Sequence, residues 1–290
     1  MEISFIKSEL AEKGYCIIPD VLSEHEVELC MSSFKYWQNS IPDHNIMHKY
    51  FDSFGIYKYY MVGHTYHAWY IRTRESIQNI FKGLWETDEL IVSFDGSCYI
   101  SKDCNKKDSC WTHTDQSPLN EGFRCYQGLV SLTENKDRTL VVYEGTHKTH
   151  FDYFKTLGIQ DKQDFQFIDK DYLEKINDKK RILHIKAGSL VVWDSRLFHQ
   201  NQYGFPSSEE RYVQYVCYFP KIHESNTDIV KEKRREYFDK KYTTTHWPAP
   251  VKKNSFYPKV GRKNEIIKLD YSSISIPDLS HLYDDIMKLI

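Results

Sequence analysis

The residues of most chemical interest are His113-Thr114-Asp115. In a strand, positions i and i+2 point to the same face, so one imidazole and one carboxylate converge on a single point. One distant histidine would complete a 2-His-1-carboxylate set, the arrangement that suits non-haem Fe(II) with open coordination positions. By itself His-x-Asp is a weak signal. With 13 His and 22 Asp in 290 residues, about one such triplet is expected by chance, and there are two. The second, His150-Phe151-Asp152, lies in a stretch that reads as a loop entering a helix. There the two side chains would diverge by about 200°, because each helical residue turns ~100°. His150 therefore reads as a surface or capping side chain, whereas His113 follows a strand-like segment and precedes the turn Ser117-Pro118.

The third ligand is expected from the stretch Ala187 to Asn201, in which a Gly turn and a buried strand run are followed by His199 just past the strand end. Twelve residues on, Arg211 opens the half-apolar run Arg211 to Phe219. An arginine at a strand mouth needs an anionic partner, and its planar fork suits a carboxylate held two-fold. The competing reading is a salt bridge to Glu209 or Glu210, close in sequence, and for Arg211 taken alone that reading is the better one. Strand parity adds three candidates. Asn201 lies two residues past His199, Gln127 shares a face with Cys125 and Leu129, and Trp111 shares the face of His113. For each, packing or a satisfied buried amide is the competing reading.

The elements that must position these groups follow from periodicity. The first ninety residues are mainly helical: Ile3, Ile6 and Leu10 recur at helical spacing up to a stop at Gly14. Tyr15 to Ile18 then reads as a short strand, and Ser23 with Glu26 forms a capping box ahead of Val27, Cys30, Met31, Phe34 and Trp37. From residue 90 the chain becomes strand-rich, with runs at Leu90 to Phe94, Cys125 to Leu132, Thr139 to Tyr143, Arg181 to Ile185, Ser189 to Trp193 and Arg211 to Phe219. A helical insertion is expected around residues 150–178. These runs predict a closed or double-sheet β architecture within one domain spanning 1–290: a helical flank (1–89), a β core (90–220) and a C-terminal extension (221–290) packed on the core. That extension carries a charged helix, Asp228 to Lys241, read as a solvated face. The segment Tyr57 to Tyr70, with two histidines and six aromatics, reads either as a pocket roof or as core packing.

Composition excludes several function classes. Lys+Arg number 39 against 41 Asp+Glu, a formal charge of −2, which argues against a nucleic-acid partner. No run approaches the ~20 apolar residues that span a membrane, and the N-terminus lacks the pattern of a signal peptide. The seven cysteines are odd in number and form no Cys-x-x-Cys pair. Reduced thiols in a cytoplasmic protein are the expectation. Neither a Gly-rich phosphate loop nor a Gly-x-Ser-x-Gly elbow is present.

Taken in order, His113-x-Asp115, His199 and Arg211 resemble the phytanoyl-CoA dioxygenase family of Fe(II)- and 2-oxoglutarate-dependent oxygenases. The entry Gly14 to Val27 and the turn Glu144-Gly145-Thr146-His147-Lys148 resemble the same family, so the similarity covers roughly residues 10 to 220. The resemblance implies a mainly β fold with flanking helices, built on a double-stranded β-helix (jelly-roll or cupin-like) core. It implies that His113, Asp115 and His199 bind Fe(II) and that Arg211 clamps the distal carboxylate of 2-oxoglutarate. Asn201 and Gln127 would donate to that co-substrate, and Trp111 would wall the pocket. O2 would be consumed, succinate and CO2 released, and a C–H bond of a small-molecule substrate hydroxylated. One departure is Asn135-Lys136-Asp137-Arg138, a charged run where the family commonly has a Gly-Gly pair, which is expected to reshape the loop over the site. Two alternatives stand beside this reading. One is a non-catalytic jelly-roll binding protein. The other is a cupin-type metalloenzyme that does not use 2-oxoglutarate, in which Arg211 is a structural ion pair.

Overall fold

Gly14 marks the first change from helix to strand. The helix Ile3–Lys13 stops there because Gly14 takes a left-handed φ of 87°, its N–H bonding back to the Leu10 carbonyl. A Cβ at this position would meet His147 Nδ1 at 2.5 Å and Leu197 at 2.7 Å, so packing as well as backbone conformation selects glycine. Strand β1 (Tyr15–Ile18) follows. The helix Glu24–Asn39 then starts on the capping box that its sequence predicts. Ser23 Oγ accepts the Glu26 N–H, and the Glu26 carboxylate accepts the Ser23 N–H at 2.8 Å. These features come from a computed structural model that describes residues 1–45, 48, 53–254, 257–260 and 265–290.

The remaining strands used below are, in chain order, β2 (Ile56–Tyr57), β3 (Leu90–Val92), β4 (Ser97–Ile100), β5 (His113–Thr114), β6 (Tyr126–Ser131), β7 (Leu140–Tyr143), β8 (Gln166–Phe167), β9 (Lys180–Ile182), β10 (Leu190–Asp194), β11 (His199–Asn201) and β12 (Arg211–Pro220). The chain forms two compact units, residues 1–20 with 100–211 and residues 21–99 with 212–290. In the first, β10 lies antiparallel between β1 and β6, with Val192 opposite both Cys16 and Gly128. A second antiparallel sheet runs β8-β5-β11-β7-β9. Val191, Val192, Leu129, Val141 and Val142 are buried in continuous apolar runs, the pattern of strands covered on both faces. Tyr143, Tyr153, Phe154, Leu173 and Phe198 form a further cluster with the short helices His150–Thr156 and Lys170–Lys175.

In the second unit β2 pairs with β4 and β3 with β12, both antiparallel. The aromatic-rich segment 57–70 packs into the core of this unit: His67 stacks on Phe34 at 4.2 Å, and Trp69 is buried between Phe94 and Phe238. The charged helix runs Asp228–Asp239 and is not a solvated face throughout. Arg234 on it is fully buried and donates to the carbonyls of Val92, Pro248 and Leu289.

One further expectation is corrected. The insertion at 150–178 is not wholly helical, because Gln166-Phe167 supplies the edge strand β8 beside β5. The run 135–138 is a cross-tie: one oxygen of Glu209 accepts the N–H groups of Lys136, Asp137 and Arg138 at 2.7, 2.9 and 3.0 Å. Arg138 is fully buried and donates to the carbonyls of Ser101, Lys102, Cys104 and Phe205. Replacing Glu209 with alanine leaves three backbone donors without their anion. The expected loss is about 1–3 kcal/mol, or roughly 2–5 °C in Tm, measured by thermal unfolding.

Candidate metal centre

β5 and β11 are neighbours, and their register sets His113 directly opposite His199. Residues facing each other across an antiparallel pair share one side of the sheet, so the two rings meet with centroids 4.4 Å apart. Asp115 follows at the same strand parity as His113. Its N–H bonds to the Ser195 carbonyl at 3.1 Å, and Thr114 Oγ1 donates to that carbonyl at 2.9 Å. The strand end is thereby held while the carboxylate turns toward the imidazoles. His113 Nε2 lies 3.8 Å from Asp115 Oδ1, His199 Nε2 lies 3.3 Å from Asp115 Oδ2, and one donor atom from each residue falls within 4.8 Å of the others.

The outer nitrogens determine what the inner ones can do. His113 Nδ1 bonds to the Trp111 carbonyl at 3.1 Å and His199 Nδ1 to the Leu197 carbonyl at 2.8 Å. A carbonyl only accepts, so each Nδ1 carries a proton, which leaves Nε2 as the atom through which each ring would bind a metal. The carboxylate has support of the same kind. Trp193 Nε1 donates to Gln127 Oε1 at 2.9 Å, which turns the amide so that Gln127 Nε2 donates to Asp115 Oδ2 at 2.9 Å. Two imidazoles, each with Nε2 turned inward, and one oriented carboxylate fit a divalent metal of the non-haem iron type.

All the sequence-predicted groups lie in the first unit, in different relations to this centre. Trp111 lies nearly parallel to His113, with 4.7 Å between ring centroids, and its indole donates to the Asn201 carbonyl at 2.7 Å. Asn201 is buried on β11, two residues past His199. Gln127 faces the centre as parity predicts, its amide oxygen accepting from the Trp193 indole and its amide nitrogen donating to Asp115. His150 is not a ligand, and it is not a surface side chain either. It is buried and bonds to the Gln116 carbonyl at 3.1 Å, and burial lowers its pKa to about 4, keeping the ring neutral. Arg211 is fully buried, and among the described residues none of its three guanidinium nitrogens has a hydrogen-bond partner. The expected bridge to Glu209 does not form, since that carboxylate is taken by the 136–138 N–H groups.

Sequence reasoning missed Trp193, Gln200 and Phe165. Gln200 Oε1 accepts from Trp111 N and Thr112 Oγ1, tying the segment before His113 to β11. Phe165 lies against His113 with 4.5 Å between ring centroids, and the Phe-Gln-Phe alternation was the available signal.

No known family profile matches the chain. Ava biosynthesis cluster protein O of Aspergillus versicolor is 30% identical over 207 residues, covering 66% of this chain and 65% of the relative, just under two thirds of its length. Among solved structures, GlcNAc Inducible Gene 2 (GIG2, DUF1479) of Candida albicans aligns with a TM-score of 0.54 at 15% identity, over 73% of this chain and 62% of that one. The non-haem alpha-ketoglutarate-dependent carbocyclase SnoK from nogalamycin biosynthesis aligns with a TM-score of 0.52 at 18% identity, over 74% and 83%. HygX from Streptomyces hygroscopicus, solved with nickel, 2-oxoglutarate and hygromycin B, gives 0.51 at 12% identity, over 75% and 87%. The chain therefore shares its fold with these proteins, a mainly antiparallel β architecture with flanking helices. Among the described residues, no helix is long and apolar enough to cross a membrane.

Gln127→Leu removes the donor to Asp115 and leaves the Trp193 indole unpaired. Affinity for Ni(II), measured by calorimetry, should fall about 10–100-fold while far-UV circular dichroism is unchanged. An unaltered affinity would show that Gln127 does not orient the carboxylate.

Proposed function

We propose that this protein is an Fe(II)- and 2-oxoglutarate-dependent oxygenase that hydroxylates a C–H bond of a small molecule, on a double-stranded β-helix core. The observation that carries the reading is the buried guanidinium of Arg211, in the unit that also holds His113, Asp115 and His199, with no hydrogen-bond partner among the described residues. A buried cation without an anion is costly, and a dicarboxylic co-substrate has a spare carboxylate to offer it.

In this reading His113, Asp115 and His199 hold the iron on one face. The carbonyls of Trp111 and Leu197 keep both imidazoles in the ligating tautomer, and the Trp193–Gln127 pair keeps Asp115 turned inward. Arg211 takes the distal carboxylate of 2-oxoglutarate two-fold, Asn201 donates to the same molecule, and Trp111 shields the His113 side from water. When bound, iron and 2-oxoglutarate supply the oxidising power: the co-substrate and O2 go to succinate and CO2, and the second oxygen atom enters the substrate C–H bond. A small-molecule substrate is supported by the relative from a biosynthesis cluster and by HygX, solved with hygromycin B. A cupin-type enzyme without 2-oxoglutarate would leave Arg211 as a structural ion pair, and its nitrogens make no hydrogen bond.

Anaerobic addition of Fe(II) and then 2-oxoglutarate should give the weak visible charge-transfer band of the chelated metal. Arg211→Leu should still take up Fe(II) but need roughly 10–150-fold more 2-oxoglutarate to develop the band, the range expected for a charged hydrogen-bonded partner. Folded protein that shows no band, or an Arg211→Leu variant that titrates like wild type, contradicts the assignment.

A further inference from the structure

The edge strand β8 presents an apolar stripe to the metal face. Its register pairs Phe167 with His113 and Gln166 with Thr114. Gln166-Phe167 thus runs antiparallel to His113-Thr114, with Phe165 just before it in the chain. Cross-strand partners share a side, so Phe167 stands on the side of His113, and the ring contacts place Phe165 there as well. Phe165 lies over His113 at 4.5 Å and 31°, on a ring that also stacks with Trp111, and Phe167 meets Phe165 edge-on at 4.9 Å.

These two rings are nevertheless 42% and 64% exposed, while His113 and Trp111 beside them are buried. Isolated exposed apolar residues are ordinary, but a contiguous aromatic patch joined to a ligand cluster is the mark of a binding surface. Phenylalanine offers a ring face and no hydrogen bond, so what it selects is an apolar planar surface.

We propose that Phe165 and Phe167 are the substrate-recognition wall of the site, and that the substrate class is a neutral molecule with an aromatic or fused-ring face, stacked on Phe165 beside the metal. This inference rests on the oxygenase reading for what happens to the bound molecule, but the binding surface itself is separable from it. The stripe needs only the β5–β8 pairing, and neither phenylalanine donates to metal or co-substrate.

The test uses the full chain loaded with Ni(II) and 2-oxoglutarate, and 2-naphthol as probe, with binding followed by naphthol fluorescence and equilibrium dialysis. Wild-type protein should bind 2-naphthol saturably and should not bind methyl glucoside. Phe165→Ala and Phe167→Ala should each weaken naphthol binding about tenfold or more, and Phe165→Trp should restore it, because a larger ring keeps the stacking surface. Ile182→Ala, on the opposite edge strand β9 and 52% exposed, should bind naphthol like wild type. The proposal is overturned if naphthol affinity is the same in the Phe165→Ala and Phe167→Ala variants as in wild type. It is also overturned if those variants leave affinity intact but abolish a self-association seen in sedimentation, which would make the stripe a contact between copies. Ni(II) uptake is measured in the same samples. Normal metal uptake without naphthol binding rejects this inference alone, whereas failure of metal uptake rejects the oxygenase reading.

Discussion

The register of two short strands is the constraint on which the rest of the centre depends. β5 has two residues and β11 three, yet their pairing sets His113 against His199 and, with the turn at Ser195, brings Asp115 to the same side. A slip of one residue between them would put the two imidazoles on opposite faces of the sheet. Such short strands hold register only if something outside the ladder fixes it. Here that role falls to side chains: Gln200 bonds the segment before His113, Thr114 bonds Ser195, and the Trp111 indole bonds the Asn201 carbonyl. The larger sheet of β1, β10 and β6 contributes Trp193 and Gln127, whose relay reaches Asp115 from outside the ligand strands.

Electrostatics then separates this centre from an ordinary buried polar cluster. Buried polar groups are normally satisfied within the protein, and Arg72, Arg138 and Arg234 follow the rule by donating to backbone carbonyls. Arg211 is the contrast. Glu209, two residues before it, is committed to three backbone N–H groups of the 135–138 run, and Arg211 has no hydrogen-bond partner among the described residues.

What could be read from the sequence divides by the range of the interaction. The capping box at Ser23 and the stop at Gly14 depend on residues a few positions apart, and both were legible. The convergence of His113, Asp115 and His199 was legible through strand parity and a strand-end histidine. The free state of Arg211 was not, because it depends on where Glu209 points, which the loop geometry at 136–138 decides. Nor was the role of Gln127: parity placed it on the right face, but only the pairing of β6 with β10 brings the Trp193 indole to its oxygen. β8 was hidden because a two-residue strand inside a helical stretch has too few residues to show a period, and its partner lies some fifty positions earlier. His150 was rightly set aside as a ligand, but its burial against Gln116 arises from a contact across 34 positions that no local pattern reports.

The most direct measurement is a crystal structure of the protein grown anaerobically with Ni(II) and 2-oxoglutarate. The account predicts metal on His113 Nε2, His199 Nε2 and one oxygen of Asp115, with the distal carboxylate of 2-oxoglutarate within hydrogen-bond distance of both terminal nitrogens of Arg211. Metal bound elsewhere, or 2-oxoglutarate ordered at the metal with Arg211 engaged by a protein carboxylate instead, would contradict it.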